Sequence, residues 1–178
     1  MISLNYVFWM FVILFTIIGA MRGWAKELMV SFSVILAITF INLVENYMPS
    51  VKETIMLDPV SHFWMRAGIL GFLVFFGYQT PKIPRLVDKF YRERLQDALL
   101  GIFIGAINGY LIGGSLWYFL SAAGYPFPII SDPLISGIPA VVDSANAMLP
   151  FLPPAFLVVP LIYFIVVIAF VFVLVVFI

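Results

Sequence analysis

Five apolar runs constrain this chain more than any other feature. They cover residues 4–21, 28–44, 62–80, 98–122 and 155–178. Each is close to the ~20 apolar residues that carry an α-helix across the hydrocarbon of a bilayer. In hydrocarbon a segment must satisfy its own backbone hydrogen bonds, so helices are the expected element throughout. Charged residues make up 10% of the chain and hydrophobic ones 64%, whereas soluble domains carry about 25% charged residues. The expected fold class is therefore all-α, a polytopic integral membrane protein with about five transmembrane helices, forming a single membrane domain over 1–178. The first run lacks a basic leader and a small-residue cleavage site, which predicts a retained span rather than a signal peptide.

Inside the fourth run, Gly101, Gly105, Gly109 and Gly113 recur every fourth residue. At 3.6 residues per turn they form a slowly drifting groove down one helix face. In lipid such a groove lets another backbone approach, because close packing replaces the missing hydrophobic drive. The groove predicts a helix-packing site, filled either from within the chain or by another subunit. Asn108 lies beside this face and cannot satisfy its amide alone. An interhelical hydrogen bond is its expected use, and a pore-lining role is the alternative. Ser31, Ser33, Thr39 and the other hydroxyls in the spans are expected to bond back to their own helices.

The stretch Arg22-Gly23-Trp24-Ala25-Lys26-Glu27 separates the first two runs. Its brevity predicts an antiparallel helical hairpin, with Arg22 and Glu27 at the turn. Glu27 would favour the positive end of the second helix's dipole. Gly19 and Gly23 are placed to meet the glycine ladder near this turn. Arg66, one turn inside the third run, is expected to snorkel to the headgroups, and His62 to be an interface residue. Residues 81–96 carry Lys82, Arg85, Lys89, Arg92 and Arg94, with apolar residues recurring opposite them. That pattern predicts a cytoplasmic amphipathic helix lying on lipid headgroups or a partner surface. Residues 124–154 are rich in proline but too apolar for a linker, predicting an interfacial or re-entrant segment. Pro160, near the start of the fifth run, is expected to do little damage there.

Basic residues beside the spans set orientation. The first and third connections hold seven, against two in and near the second. This places the N-terminus outside and the C-terminus in the cytoplasm. A net charge of zero argues against a nucleic-acid partner, which would need a basic face. The chain lacks cysteine and has one histidine, so it offers neither disulfides nor a multi-histidine metal site. It contains no G-x-S-x-G, H-E-x-x-H or phosphate-loop motif. No enzyme, cofactor or soluble small-molecule substrate is expected. Membrane lipids, together with other membrane-protein subunits or a second copy, are the expected partners.

Two blocks resemble the colicin V production (CvpA-type) family of bacterial inner-membrane proteins. The first is Leu4-Asn5-Tyr6 followed by Gly19-x-x-Arg22-Gly23-x-x-x-Glu27. The second is Asp97-x-x-x-Gly101-x-x-x-Gly105-x-x-x-Gly109. The resemblance covers roughly residues 1–120. Asn5 stands where an aspartate is expected, and the proline-rich segment and the fifth run depart from the family pattern. The resemblance implies a multi-span protein of the bacterial cytoplasmic membrane, linked to colicin V export and envelope maintenance, in a family without a settled biochemical activity. It points to a non-enzymatic scaffold or accessory subunit. A small channel or transporter lined by the glycine groove and Asn108 is the alternative.

Overall fold

In the computed structural model the described residues are 4–55, 57–79, 94–127, 145 and 147–177. They form an all-helical bundle, with no strand among them. The long helices are α1 (Leu4–Arg22), α2 (Trp24–Tyr47), α3 (Pro59–Tyr78) and α4 (Arg94–Ala122). All four are long and apolar enough to cross a membrane. A π-helical turn (Val51–Ile55) links α2 to α3. After α4 come a 3-10 turn (Leu149–Phe151), the short α5 (Pro153–Phe156) and α6 (Leu161–Phe177). The basic residues Lys82, Arg85, Lys89 and Arg92 lie outside the described residues, as do 128–144 of the proline-rich segment. Arg94 opens α4.

The helix ends follow local chemistry. Between α1 and α2 a single residue, Gly23, leaves the helical path, at φ 82°, a conformation that costs glycine little. Asp58 caps α3 by accepting a 2.8 Å hydrogen bond from the Ser61 N–H, with Pro59 at the first helical position. Hydrogen bonding from Ser61 holds the Asp58 carboxyl below its ordinary pKa. Gly124, at φ 68°, terminates α4.

Around α2 the bundle closes. Val30, Val34, Ala37, Ile38 and Ile41 form a buried stripe at helical spacing. The stripe belongs to one core with Phe63 and Leu70 of α3, Leu111 and Ile112 of α4, and Ile162 of α6. At one point α2 and α3 approach closely, because a Cβ on Gly77 would stand 2.8 Å from the Ser33 Cβ. Gly114 similarly admits Pro153, whose Cδ lies 2.7 Å from where a Cβ would stand, seating α5 on α4. On α1, Tyr6, Met10, Ile13, Ile17 and Met21 point outward, as suits a lipid-facing helix.

Two expectations change. The first two helices are joined by a tight turn, but they do not pack as a simple hairpin: α1 lies mainly along α4, while α2 packs on α3, α4 and α6. The glycine face of α4 offers α1 a closer approach than α2 does. The fifth run is not one helix from Ala155. It breaks after α5 and restarts at Leu161, immediately after Pro160. Proline lacks an N–H, and its ring disfavours a helical residue before it, so Pro160 separates two helices instead of sitting harmlessly within one.

Candidate functional site: a seam and two charged clasps

The glycine ladder is filled by α1. A Cβ on Gly105 would lie 3.0 Å from the Gly19 Cα, and one on Gly109 would lie 2.6 Å from the Val12 Cα. One on Gly101 would lie 3.0 Å from the Gly19 carbonyl carbon. Reciprocally, a Cβ on Gly19 would come within 2.8 Å of the Gly105 Cα. These neighbours are all backbone atoms, so the two main chains are in direct contact. At Gly113 the contact changes character, because the nearest neighbour is the Phe11 side chain, at 3.0 Å.

At one end of this seam, four helix termini meet in a buried polar cluster. Arg22 ends α1, and the tight turn at Gly23 returns the chain so that Glu27 lies within reach. Arg22 Nη1 donates to Glu27 Oε1 at 2.8 Å. Arg22 Nη2 donates to the Tyr78 carbonyl at the end of α3, at 3.0 Å. The guanidinium also lies over the Tyr78 ring, 4.3 Å from its centroid. It thus satisfies an acceptor left open by the helix end and gains from the ring's quadrupole. Asp97, in the first turn of α4, accepts from the Trp24 N–H at 3.1 Å and so caps α2 from another helix. Its carboxylate lies directly against Gly23, where a Cβ would stand 2.7 Å from Oδ1. Glu27 and Asp97 both occupy the positive end of the α2 dipole, and Arg22 the negative end of α1.

Asn108 completes the cluster. Its Nδ2 donates to the Glu27 carbonyl at 2.9 Å and to Glu27 Oε2 at 2.8 Å. Its Oδ1 accepts from the Ser31 hydroxyl at 2.6 Å. Glu27 and Asn108 are fully buried. Both carboxylate oxygens of Glu27 and both amide hydrogens of Asn108 are therefore engaged. A network of this kind fixes helix register.

A second clasp holds the far end of α2, 18 residues from Glu27 or about 27 Å along the axis. Glu45 accepts from His62 Nε2 at 2.8 Å, and both Nε and Nη2 of Arg66 also donate to it, the latter at 3.0 Å. The Arg66 guanidinium carbon lies 5.5 Å from the centroid of the Phe119 ring on α4. Arg66 therefore does not snorkel to headgroups: a two-pronged contact with one carboxylate is the stronger attraction. His62 belongs to the same clasp. Taken singly, Glu45, His62 and Arg66 carry no sequence signal of this site. Antiparallel α2 and α3 necessarily bring the end of one run beside the start of the next, and that was the available signal.

Thr16, Ser33 and Thr39 bond back to their own helices, at 2.6, 2.9 and 2.8 Å. Ser31 does so at 3.3 Å and also reaches Asn108. The Ser115 hydroxyl is buried without a partner among the described residues. Of the basic surface residues, Lys82, Arg85, Lys89 and Arg92 fall outside the described residues, as does the Arg94 side chain. Among the described residues no three His, Asp or Glu side chains are grouped to hold a metal ion. No protein-family model, curated protein or solved structure matches the chain.

Proposed function

We propose that the chain is a non-enzymatic membrane scaffold or accessory subunit of the colicin V production type, serving an export or envelope process of the bacterial cytoplasmic membrane. The supporting observation is that residues of both resembling blocks converge on one buried cluster. Arg22, Gly23 and Glu27 from the first block and Asp97 from the second tie four helix ends together, with Asn108. Gly19 of the first block abuts Gly101 and Gly105 of the second. Their use is internal and structural, which suits a rigid platform. Because α1 occupies the ladder, partners would bind elsewhere, on the outward apolar rows or the basic segment. The basic-residue count puts the Arg22 end in the cytoplasm and the N-terminus outside. Extraction in mild detergent tests the proposal: a complex far heavier than the 20.1 kDa chain is expected, and a lone monomer counts against it.

A small channel or transporter is the second reading. The ion pair of Arg22, at the end of α1, with the fully buried Glu27 favours it, since ionisable residues inside membrane bundles mark ion pathways in many membrane proteins. Liposome flux abolished by Asn108→Leu in a protein that remains folded would support it. Flux indifferent to that change would remove it.

A further inference from the structure

A cavity of about 260 Å³ lies between α1, α3 and α4, at the end of the bundle away from Arg22. Its walls include Leu4 and Phe8 of α1, Phe63 of α3, and Gly113, Leu116 and Trp117 of α4. Its origin is the way α1 and α3 sit on α4. They meet where Arg22 and Phe15 contact Tyr78, and toward the other end the cavity separates them. Among the described residues Trp117 supplies the one side-chain heteroatom in the lining, and its indole N–H is directed to the Tyr125 hydroxyl at 3.4 Å. Water would therefore find no partners there. Apolar cavities of even ~150 Å³ stay dry and accept apolar guests, and this one has room for roughly nine groups of water's ~30 Å³ liquid volume.

Exposed aromatic rings adjoin this lining. Trp9 and Trp64 are 52% and 60% exposed. Each is in edge contact with a lining ring, Phe8 or Phe63, at 5.4 Å. Exposed tryptophans of this kind mark the boundary where headgroups give way to acyl chains. We infer that this cleft is a lipid site that takes one phospholipid acyl chain, with Trp9 and Trp64 flanking its entrance and Trp117 lining it.

Trp117 makes the test direct. A full-length protein carrying Trp9→Phe, Trp24→Phe and Trp64→Phe keeps Trp117 as its one tryptophan, excited selectively over the tyrosines. It is placed in phosphatidylcholine vesicles with plain or acyl-brominated chains, beside a protein keeping Trp9 alone. Trp117 is 3% exposed, yet the inference expects brominated chains to quench it as strongly as lipid-facing Trp9. Filling the cleft with Val7→Phe, at another lining position of α1, or with Leu116→Phe, should abolish the quenching of Trp117. A Trp117 that is not quenched, or whose quenching survives both fillings, overturns the inference. The unmutated chain gives an independent arm with a phosphatidylcholine bearing a photoactivatable acyl chain. Adducts on residues 113–117 are expected, and adducts confined to Met10, Ile13, Leu14 and Ile17 would refute the site.

Discussion

Adding one methyl group at Gly105 should unseat α1 from α4, and the same methyl at Gly68 should do nothing harmful. A Cβ at Gly105 would stand 3.0 Å from the Gly19 Cα, with the Phe15 carbonyl nearer still. Backbone cannot rotate away as a side chain can, so the helices must part. Overpacking of this kind costs typically about 1–3 kcal/mol. Replacing glycine by alanine in a helix returns up to about 1 kcal/mol, so Gly105→Ala, which meets rigid backbone and takes the upper half of the overpacking range, should lose a net ~1–2 kcal/mol. Gly19→Ala, Gly101→Ala and Gly109→Ala should behave alike, since each meets backbone. At Gly113 the nearest atom is the Phe11 Cβ, at 3.0 Å, and a shift of a few tenths of an ångström relieves it, so the loss should stay under ~1 kcal/mol. Among the described residues nothing lies within 4 Å of a Cβ added at Gly68 or Gly71. Their alanine variants should be neutral, or more stable by up to ~1 kcal/mol. Reversible unfolding in mixed detergent micelles would read the series. For a chain of this size each kcal/mol corresponds to about 2–4 °C in midpoint. A Gly105→Ala protein as stable as Gly68→Ala would refute the claim of backbone contact.

Further predictions concern the clasps. Glu27→Ala leaves Arg22 and Asn108 buried without their carboxylate and should cost about 3–5 kcal/mol. The double variant Arg22→Met/Glu27→Leu should cost clearly less than the two single changes summed, as a thermodynamic cycle would show. Asp97→Ala removes the carboxylate that accepts from the Trp24 N–H across helices and should cost ~0.5–2 kcal/mol, the range for a lost helix cap. Hydrogen exchange at the start of α2 should rise with it. Asn108→Leu should cost about 1–3 kcal/mol by leaving a Glu27 oxygen unmatched, whereas Thr39→Val, which removes a bond within one helix, should cost less than ~1 kcal/mol in the same assay.

What could be read in the residues, and what could not, divides along physical lines. Four long helices follow from apolar runs of bilayer length, because length and hydrophobicity alone decide them. The ladder's meaning as a close-approach face follows from the four-residue spacing. Its partner does not, since spacing on one helix says nothing about which neighbour supplies the matching surface. Gly19 pointed toward α1, but the contact with Phe11 and Val12, which carry no small-residue pattern, lay beyond periodicity. Asn108's need for a partner was visible in its chemistry. That the partner would be Glu27 depended on Gly23 turning α2 so that its first turn faces α4. Pro160 misled because a proline near a helix start is tolerated in the first turn and breaks the helix beyond it. Here Leu152 and Pro153 pack on α4, and the last helix starts only at Leu161, after Pro160. The Glu45–His62–Arg66 clasp required reading two runs against each other, since no member is unusual alone.

The central claim is that the glycine seam is closed within one chain, by α1 lying on α4. A disulfide tests it most directly, because the chain contains no cysteine of its own. A Cβ at position 113 would lie 3.0 Å from the Phe11 Cβ, a small adjustment from the ~3.5–4.5 Å of a disulfide. Phe11→Cys with Gly113→Cys, oxidised in the native membrane, should give a monomer with an intrachain bridge, detected as a linked peptide pair after digestion. A covalent dimer, or two thiols that resist oxidation while the protein remains folded, would contradict the account.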